Sequence, residues 1–249
     1  MTGWFVHGVL SGIRTTRFPR QRETRPGTSP GLPGPTRMSS AAEAAGLAAR
    51  CPTGALTARG HEVGVDPGRC IHCFRCARDP GPSMNWTDGY EWARPASDAP
   101  GRGALDRPLR RSMNILVVDA GDCGACLNEV RQLNSPYYNM HRMGFFITPT
   151  PRNADLLLVV GPVSDAMRHP LLAAWEAMPE PKRVISVGAC ALTGSVFGPS
   201  FACGAGVREV LPVDVEVPGN PPPPLAVLHG LLVLAGRMAA AAPVPGGTR

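Results

Sequence analysis

Cys51-Pro52 is followed nineteen residues on by Cys70, Cys73 and Cys76, a triplet with two residues in each gap. Thiolates are soft ligands, and three so closely spaced wrap one small inorganic cluster, which a distant Cys-Pro completes. The set has the spacing of a single 4Fe–4S centre, an electron carrier. Other chemistries fit less well. Structural zinc usually draws two well-separated pairs, and a disulfide framework suits a C-x2-C-x2-C run poorly. A second group of thiols comprises Cys123 and Cys126, in a C-x2-C on a Gly-rich turn, and Cys190, just after Gly188-Ala189. Small buried core cysteines are their alternative use, but a Gly-rich turn is a poor place for core filling, so metal binding is expected.

A bacterial two-cluster ferredoxin repeats C-x2-C-x2-C-x3-C-P, each run's last cysteine serving the other cluster. Residues 39–80 resemble one that has shed a cluster. The first half keeps Cys51, but its triplet positions read Ala41, Ala44 and Leu47; the second half keeps its triplet, but its closing position is Pro80. All the losses fall on ligands of one cluster. The resemblance implies a small α+β ferredoxin-like domain with one 4Fe–4S cluster on Cys51, Cys70, Cys73 and Cys76.

A chain of 249 residues holds one large domain or two modest ones, and 29 Gly with 28 Pro foretell much loop. The net charge is +6, with Lys182 the one lysine. No basic-aromatic array accompanies the arginines, so nucleic acid is not expected as a partner. Clustered cysteines suit reduced thiolates in the cytoplasm. The longest apolar run, Leu225 to Ala235, is interrupted by His229 and stopped by Arg237. It is too short to span a bilayer, and the N-terminus lacks signal-peptide order. Membrane contact is expected to be peripheral.

These thiols need elements to position them. Residues 1–38 are expected to be an amphipathic helix plus a Pro/Arg-rich linker. Trp4, Phe5, Val6, Val9, Leu10 and Ile13 share a face for a membrane or membrane subunit, or for packing as an edge helix on their own domain. Residues 81–112 read as a second connection that partly packs, and 239–249 as a flexible tail. From 113 to 238 the text is α/β: strands at 115–118, 145–147, 156–160 and 184–187, helices at 164–178 and 225–238. Alternation predicts a mostly parallel sheet with sites beyond its carboxyl ends. Cys123, Cys126 and Cys190 all follow such ends.

Asp122-Cys-Gly-Ala-Cys126 with Glu129, Asn134-Ser-Pro-Tyr-Tyr138, Asp155-Leu-Leu-Leu-Val-Val-Gly-Pro-Val163, Val187-Gly-Ala-Cys190 and Val217-Pro-Gly-Asn-Pro-Pro-Pro223 resemble one family. It comprises the B-type, 20 kDa subunit of NADH–quinone oxidoreductase (complex I) and the small subunit of membrane-bound, group 4 NiFe hydrogenases. The resemblance implies a flavodoxin-like fold and a 4Fe–4S cluster on Cys123, Cys126, Cys190 and position 220. Here that position is Asn220, a neutral oxygen in place of a thiolate. Three outcomes follow: a cluster with Asn220, water, a neighbouring side chain or Cys203 as fourth ligand; a three-iron cluster; or no cluster. Glu129 matches a family acidic position and serves either as a proton-coupling acid or as a solvent-facing carboxylate in a first helical turn. The latter is favoured.

The function expected from the resemblance is that of an electron-transfer subunit of a complex I-like or hydrogenase-like oxidoreductase. Its partners would be a large catalytic subunit and membrane subunits, at the inner face of the cell membrane. The alternative is a soluble redox or regulatory module whose α/β domain has lost its cluster and serves as an interaction surface.

Overall fold

A computed structural model describes residues 3–12, 14–78, 81–97, 99–101 and 105–241. Ile13, Pro80 and the tail beyond residue 241 lie outside them. Helix α1 (Gly3–Ser11) buries none of its side chains, and Trp4 and Leu10 are 78% and 80% exposed. It is therefore not an edge helix packed on its own domain. Among the described residues no helix is long and apolar enough to cross a membrane. Past α1 the chain anchors: Phe18 is fully buried, edge-on to Tyr90 with centroids 5.3 Å apart.

The next stretch forms two short strands, β1 (Leu32–Pro33) and β2 (Thr36–Arg37), then helix α2 (Ala41–Ala49), β3 (Leu56–Arg59) and β4 (Glu62–Val65). The last two pair antiparallel, and β2 adds to the other edge of β4. Ser40 caps α2 by accepting the Glu43 N–H at 3.2 Å. Ala44 and Leu47 lie three residues apart on one face of α2 and pack with Leu56, Val63 and Val65. Where a second ferredoxin cluster would have had its thiols, the chain has an apolar helix face. A turn of helix α3 (Arg75–Arg78) ends the cysteine run. Strand β5 (Trp86–Thr87) pairs with β1.

The 81–112 connection packs on the α/β core. Tyr90 and Trp92 are buried there, and strand β6 (Arg94–Pro95) forms an antiparallel edge of the large sheet. After α4 (Arg107–Arg111) come β7 (Met113–Asp119), α5 (Ala125–Gln132), β8 (Phe145–Ile147), β9 (Leu156–Val160), α6 (Asp165–Ala177), β10 (Arg183–Val187), α7 (Ala189–Thr193), β11 (Val215–Val217) and α8 (Pro224–Leu234). The sheet order is β6-β11-β10-β9-β7-β8, and the pairings among β7 to β11 are parallel. Taken in chain order, the parallel strands lie 2-1-3-4-5, the flavodoxin-like arrangement. The expected mostly parallel α/β sheet is thus present. Helices α5 and α8 pack on one face, α6 and α7 on the other.

Register puts the carboxyl ends of four strands level. Asp119 lies opposite Val160, Val160 opposite Val187, and Val187 opposite Val217. The loops beyond them leave the sheet side by side.

Candidate metal centres

Cys51, Cys70, Cys73 and Cys76 line one pocket, with Pro52, Ile71, Phe74 and Trp86. His72 and Phe74 take left-handed backbone, φ 52° and 61°. Non-glycine residues rarely adopt it unless the surroundings fix it, and here it curls the Cys70–Cys76 run round the pocket. Phe74 is held by stacking on Trp86, 4.3 Å between centroids, and by Arg78 4.9 Å above its ring. The Ala55 N–H donates to Cys51 Sγ at 3.3 Å. Burial, with the other three sulfurs adding, pushes the Cys70 thiol up to about 12, while the His72 N–H works against the rise. Burial also raises Cys76, opposed by the hydrogen bond that the Trp86 indole directs at it. Such thiols resist ionisation alone and lose their protons to a cation.

The second set assembles beyond the level strand ends. Cys123 and Cys126 follow β7, Cys190 follows β10, and Asn220 follows β11. The Ala189 N–H donates to Gly219 O at 2.8 Å, which sets the Asn220 loop beside the Cys190 turn. Cys126 and Cys190 are 1% and 5% exposed, whereas Cys123 is exposed. Gly188 has φ 93°, and a Cβ on it would stand 2.5 Å from Cys126 Sγ. Only glycine admits the sulfur there. Burial raises Cys126 and Cys190, and in both the Asp122 charge and that of Cys123 add to the rise.

Sequence reasoning did not single out Asp122 as a functional residue. It precedes Cys123 and anchors the turn, its Oδ2 accepting the N–H groups of Gly124 and Leu127 at 3.0 Å each. Its Oδ1 is buried and accepts no N–H or O–H group, and the carboxylate lies against the Cys126 thiol. Cys203, the other candidate ligand, is half-buried; its Sγ donates to Gly198 O at 3.3 Å and meets Ser200 Oγ at 3.4 Å. Glu129 corrects the expectation of a solvent-facing carboxylate. It is the fifth residue of α5, past the first turn, and half-buried, and burial raises its pKa. Its charge reaches Tyr138, whose phenol burial also raises.

The two thiol sets meet across one interface. The turn at Pro67–Arg69, just before Cys70, packs on α7, where Thr193 Oγ1 donates to Gly68 O at 3.2 Å. Arg94 spans the same seam, 3.6 Å from Asp66 and 3.1 Å from the buried Glu216.

Among the described residues no three His, Cys, Asp or Glu side chains converge to hold a single metal ion. In a polynuclear group each thiol binds its own iron, so the donors of such a site stand further apart than the ligands of one ion. The first set offers four soft thiols in an apolar pocket, with an amide directed at a sulfur, and fits a cluster in full. The second offers three thiols and a buried carboxylate oxygen.

Residues 123–234 match the family described as NADH ubiquinone oxidoreductase, 20 Kd subunit. Formate hydrogenlyase subunit 7 of Escherichia coli (strain K12) is 39% identical over 135 residues, 54% of this chain and 53% of that protein. The probable membrane-bound hydrogenase subunit mbhJ of Pyrococcus furiosus is 40% identical over 131 residues, 53% of this chain and 78% of its own length. A subunit of the NADH-quinone oxidoreductase of Heliobacterium modesticaldum is 40% identical over 114 residues, 45% of this chain and 65% of that protein. The chain thus spans about half the length of the first of these relatives. The first thiol set lies outside the family match.

Proposed function

Because the chain belongs to the family of the 20 Kd subunit of NADH ubiquinone oxidoreductase, we propose that it is an iron–sulfur electron-transfer subunit of a membrane-associated, complex I-like or group 4 hydrogenase-like oxidoreductase. Residues 39–80 form its ferredoxin-like part and 113–238 its family part. Cys51, Cys70, Cys73 and Cys76 hold a 4Fe–4S cluster, and Cys123, Cys126 and Cys190 hold a second iron centre. The chemistry such a group supplies when bound is one-electron exchange. The chain's own contribution is to bind, exclude water and hold the two sites together. The observation that carries this reading is the shared interface: the loop bearing Asn220 and the helix bearing Cys190 both touch the segment carrying Cys70 and His72.

A large catalytic subunit and membrane subunits are the expected partners, with contact at the inner face of the cell membrane. The uncovered apolar helix α1 supports that contact. Glu129 would serve as a half-buried proton-coupling acid. Asn220 favours one competing reading, a redox or regulatory module whose α/β domain carries no cluster. Iron and sulfide content with low-temperature EPR on anaerobically purified protein separates the two. About eight irons fits two cubanes, and about four fits the module. Co-purification with a large subunit in the membrane fraction supports the complex; a partner-free soluble monomer overturns it.

A further inference from the structure

We propose that the carboxylate of Asp122 is the fourth ligand of the iron centre held by Cys123, Cys126 and Cys190. The proposal rests on the two-centre reading above and names the group that completes its second site.

Asp122 does more than its local role requires. Fixing the turn takes one oxygen, and Oδ2 does this alone with the Gly124 and Leu127 N–H groups. Oδ1 is buried and accepts no N–H or O–H group, and the carboxylate lies against the Cys126 thiol, one of the three sulfurs, as hydrogen-bond acceptor. The turn that carries it cannot easily withdraw: Gly161 has φ 90°, and a Cβ on it would stand 2.5 Å from Asp122 N. Only glycine at 161 lets the Asp122 turn lie this close to the end of the neighbouring strand. Three thiolates and a carboxylate repel one another in the absence of a cation; iron gives all four a partner.

The competing donors are less suited. Asn220 offers only a neutral amide oxygen, a weaker donor to iron than an anionic carboxylate. The Cys203 thiol is engaged by Gly198 O and Ser200 Oγ. A carboxylate in place of the missing thiolate preserves the site's charge while making one position harder and more weakly bound.

The test uses the full chain, purified and reconstituted anaerobically, with iron and sulfide analysis and EPR of the reduced protein. Asp122→Asn keeps an oxygen for the two backbone N–H groups and removes the anionic donor. It is expected to lower iron from about eight per chain to about seven or fewer and to abolish or shift the second EPR signal. The ferredoxin-type signal should persist and serves as the folding control. Asp122→Cys should restore full iron with an altered second signal, and Asn220→Ala should match wild type. An Asp122→Asn protein with unchanged iron and spectrum overturns the ligand alone. Loss of the second signal in Asn220→Ala but not in Asp122→Asn overturns it in favour of Asn220. Only about four irons in the wild type overturns the two-centre reading, and the ligand with it.

Discussion

Asn220 donates its backbone N–H to Nδ1 of His72 at 3.4 Å, joining residues 148 apart in sequence. His72 sits between Cys70 and Cys73, and Asn220 holds the position where the family resemblance implies a cysteine. The last loop of the sheet therefore rests on the cysteine run of the N-terminal region. Burial drops the His72 imidazole to about 4, so it is neutral at physiological pH and accepts at Nδ1. The rings of Trp86 and Trp92 each lie 6.1 Å from it, centroid to centroid.

Replacing His72 by Ala removes a buried ring and the acceptor of that bond. The expected loss is about 1–3 kcal/mol, felt as loosened docking of the two regions. Chemical denaturation together with limited proteolysis of residues 81–97 checks it. Unaltered stability and cleavage would mean that the seam is held elsewhere.

Glu216 should matter more. It is buried, and its two oxygens meet Arg94 at 3.1 Å and Arg208 at 3.4 Å. Glu216→Gln weakens both pairs, and breaking a buried pair costs about 3–5 kcal/mol. Adding Arg94→Met should recover part of that loss, because one half-buried cation is then removed as well. A double-mutant cycle measures the coupling; strictly additive effects would show that Arg94 and Glu216 act independently.

How far the sequence shows this arrangement depends on the range of the interactions. Ile115–Val118 and Leu156–Val160 are legible because buried parallel strands read as unbroken β-branched and aliphatic runs. Strand β11 is only three residues with Glu216 at its centre, and β6 is an Arg-Pro pair, so neither has a local signal. The thiols are legible from their spacing. The Asp122 oxygen is not, since its burial depends on loops brought together by strand register. The seam between the regions is a contact across more than a hundred residues and leaves no local pattern.

Helix α2, which occupies the positions where the ferredoxin resemblance implies a triplet of cysteines, gives a sharper test. Ala41→Cys, Ala44→Cys and Leu47→Cys with Pro80→Cys together supply the full cysteine spacing of a second cluster, yet the first three fall on a capped helix, not on a curled loop. Leu47 is also fully buried, and truncating such a leucine costs about 2–5 kcal/mol. The quadruple variant should be less stable and bind no more iron than wild type. A gain of about four irons would show that α2 can unwind to a ligand loop.

The N-terminal segment should be released by pH at both extremes. Tyr137 donates its hydroxyl to Glu23 Oε2 at 2.6 Å, and the Thr16 N–H donates to Tyr137 O at 2.9 Å. Burial, then the bond to Glu23, pushes the phenol up to about 12. A group whose folded pKa is raised stabilises the fold fully below its unfolded value, about 10, and loses that contribution as pH climbs toward about 12. Glu23 has the opposite sign: the same bond lowers its pKa below the usual 4.5, so its contribution is present above that value and lost as pH falls through the folded one. Between these limits the tether holds. The stability difference between wild type and Tyr137→Phe should therefore be level through neutral pH, shrink above about 10 and shrink again in acid below about 4.5. Tryptic cleavage at Arg20 and Arg22 should rise in step with the alkaline limb. A difference that does not vary with pH would mean that the Tyr137–Glu23 bond does not secure the segment.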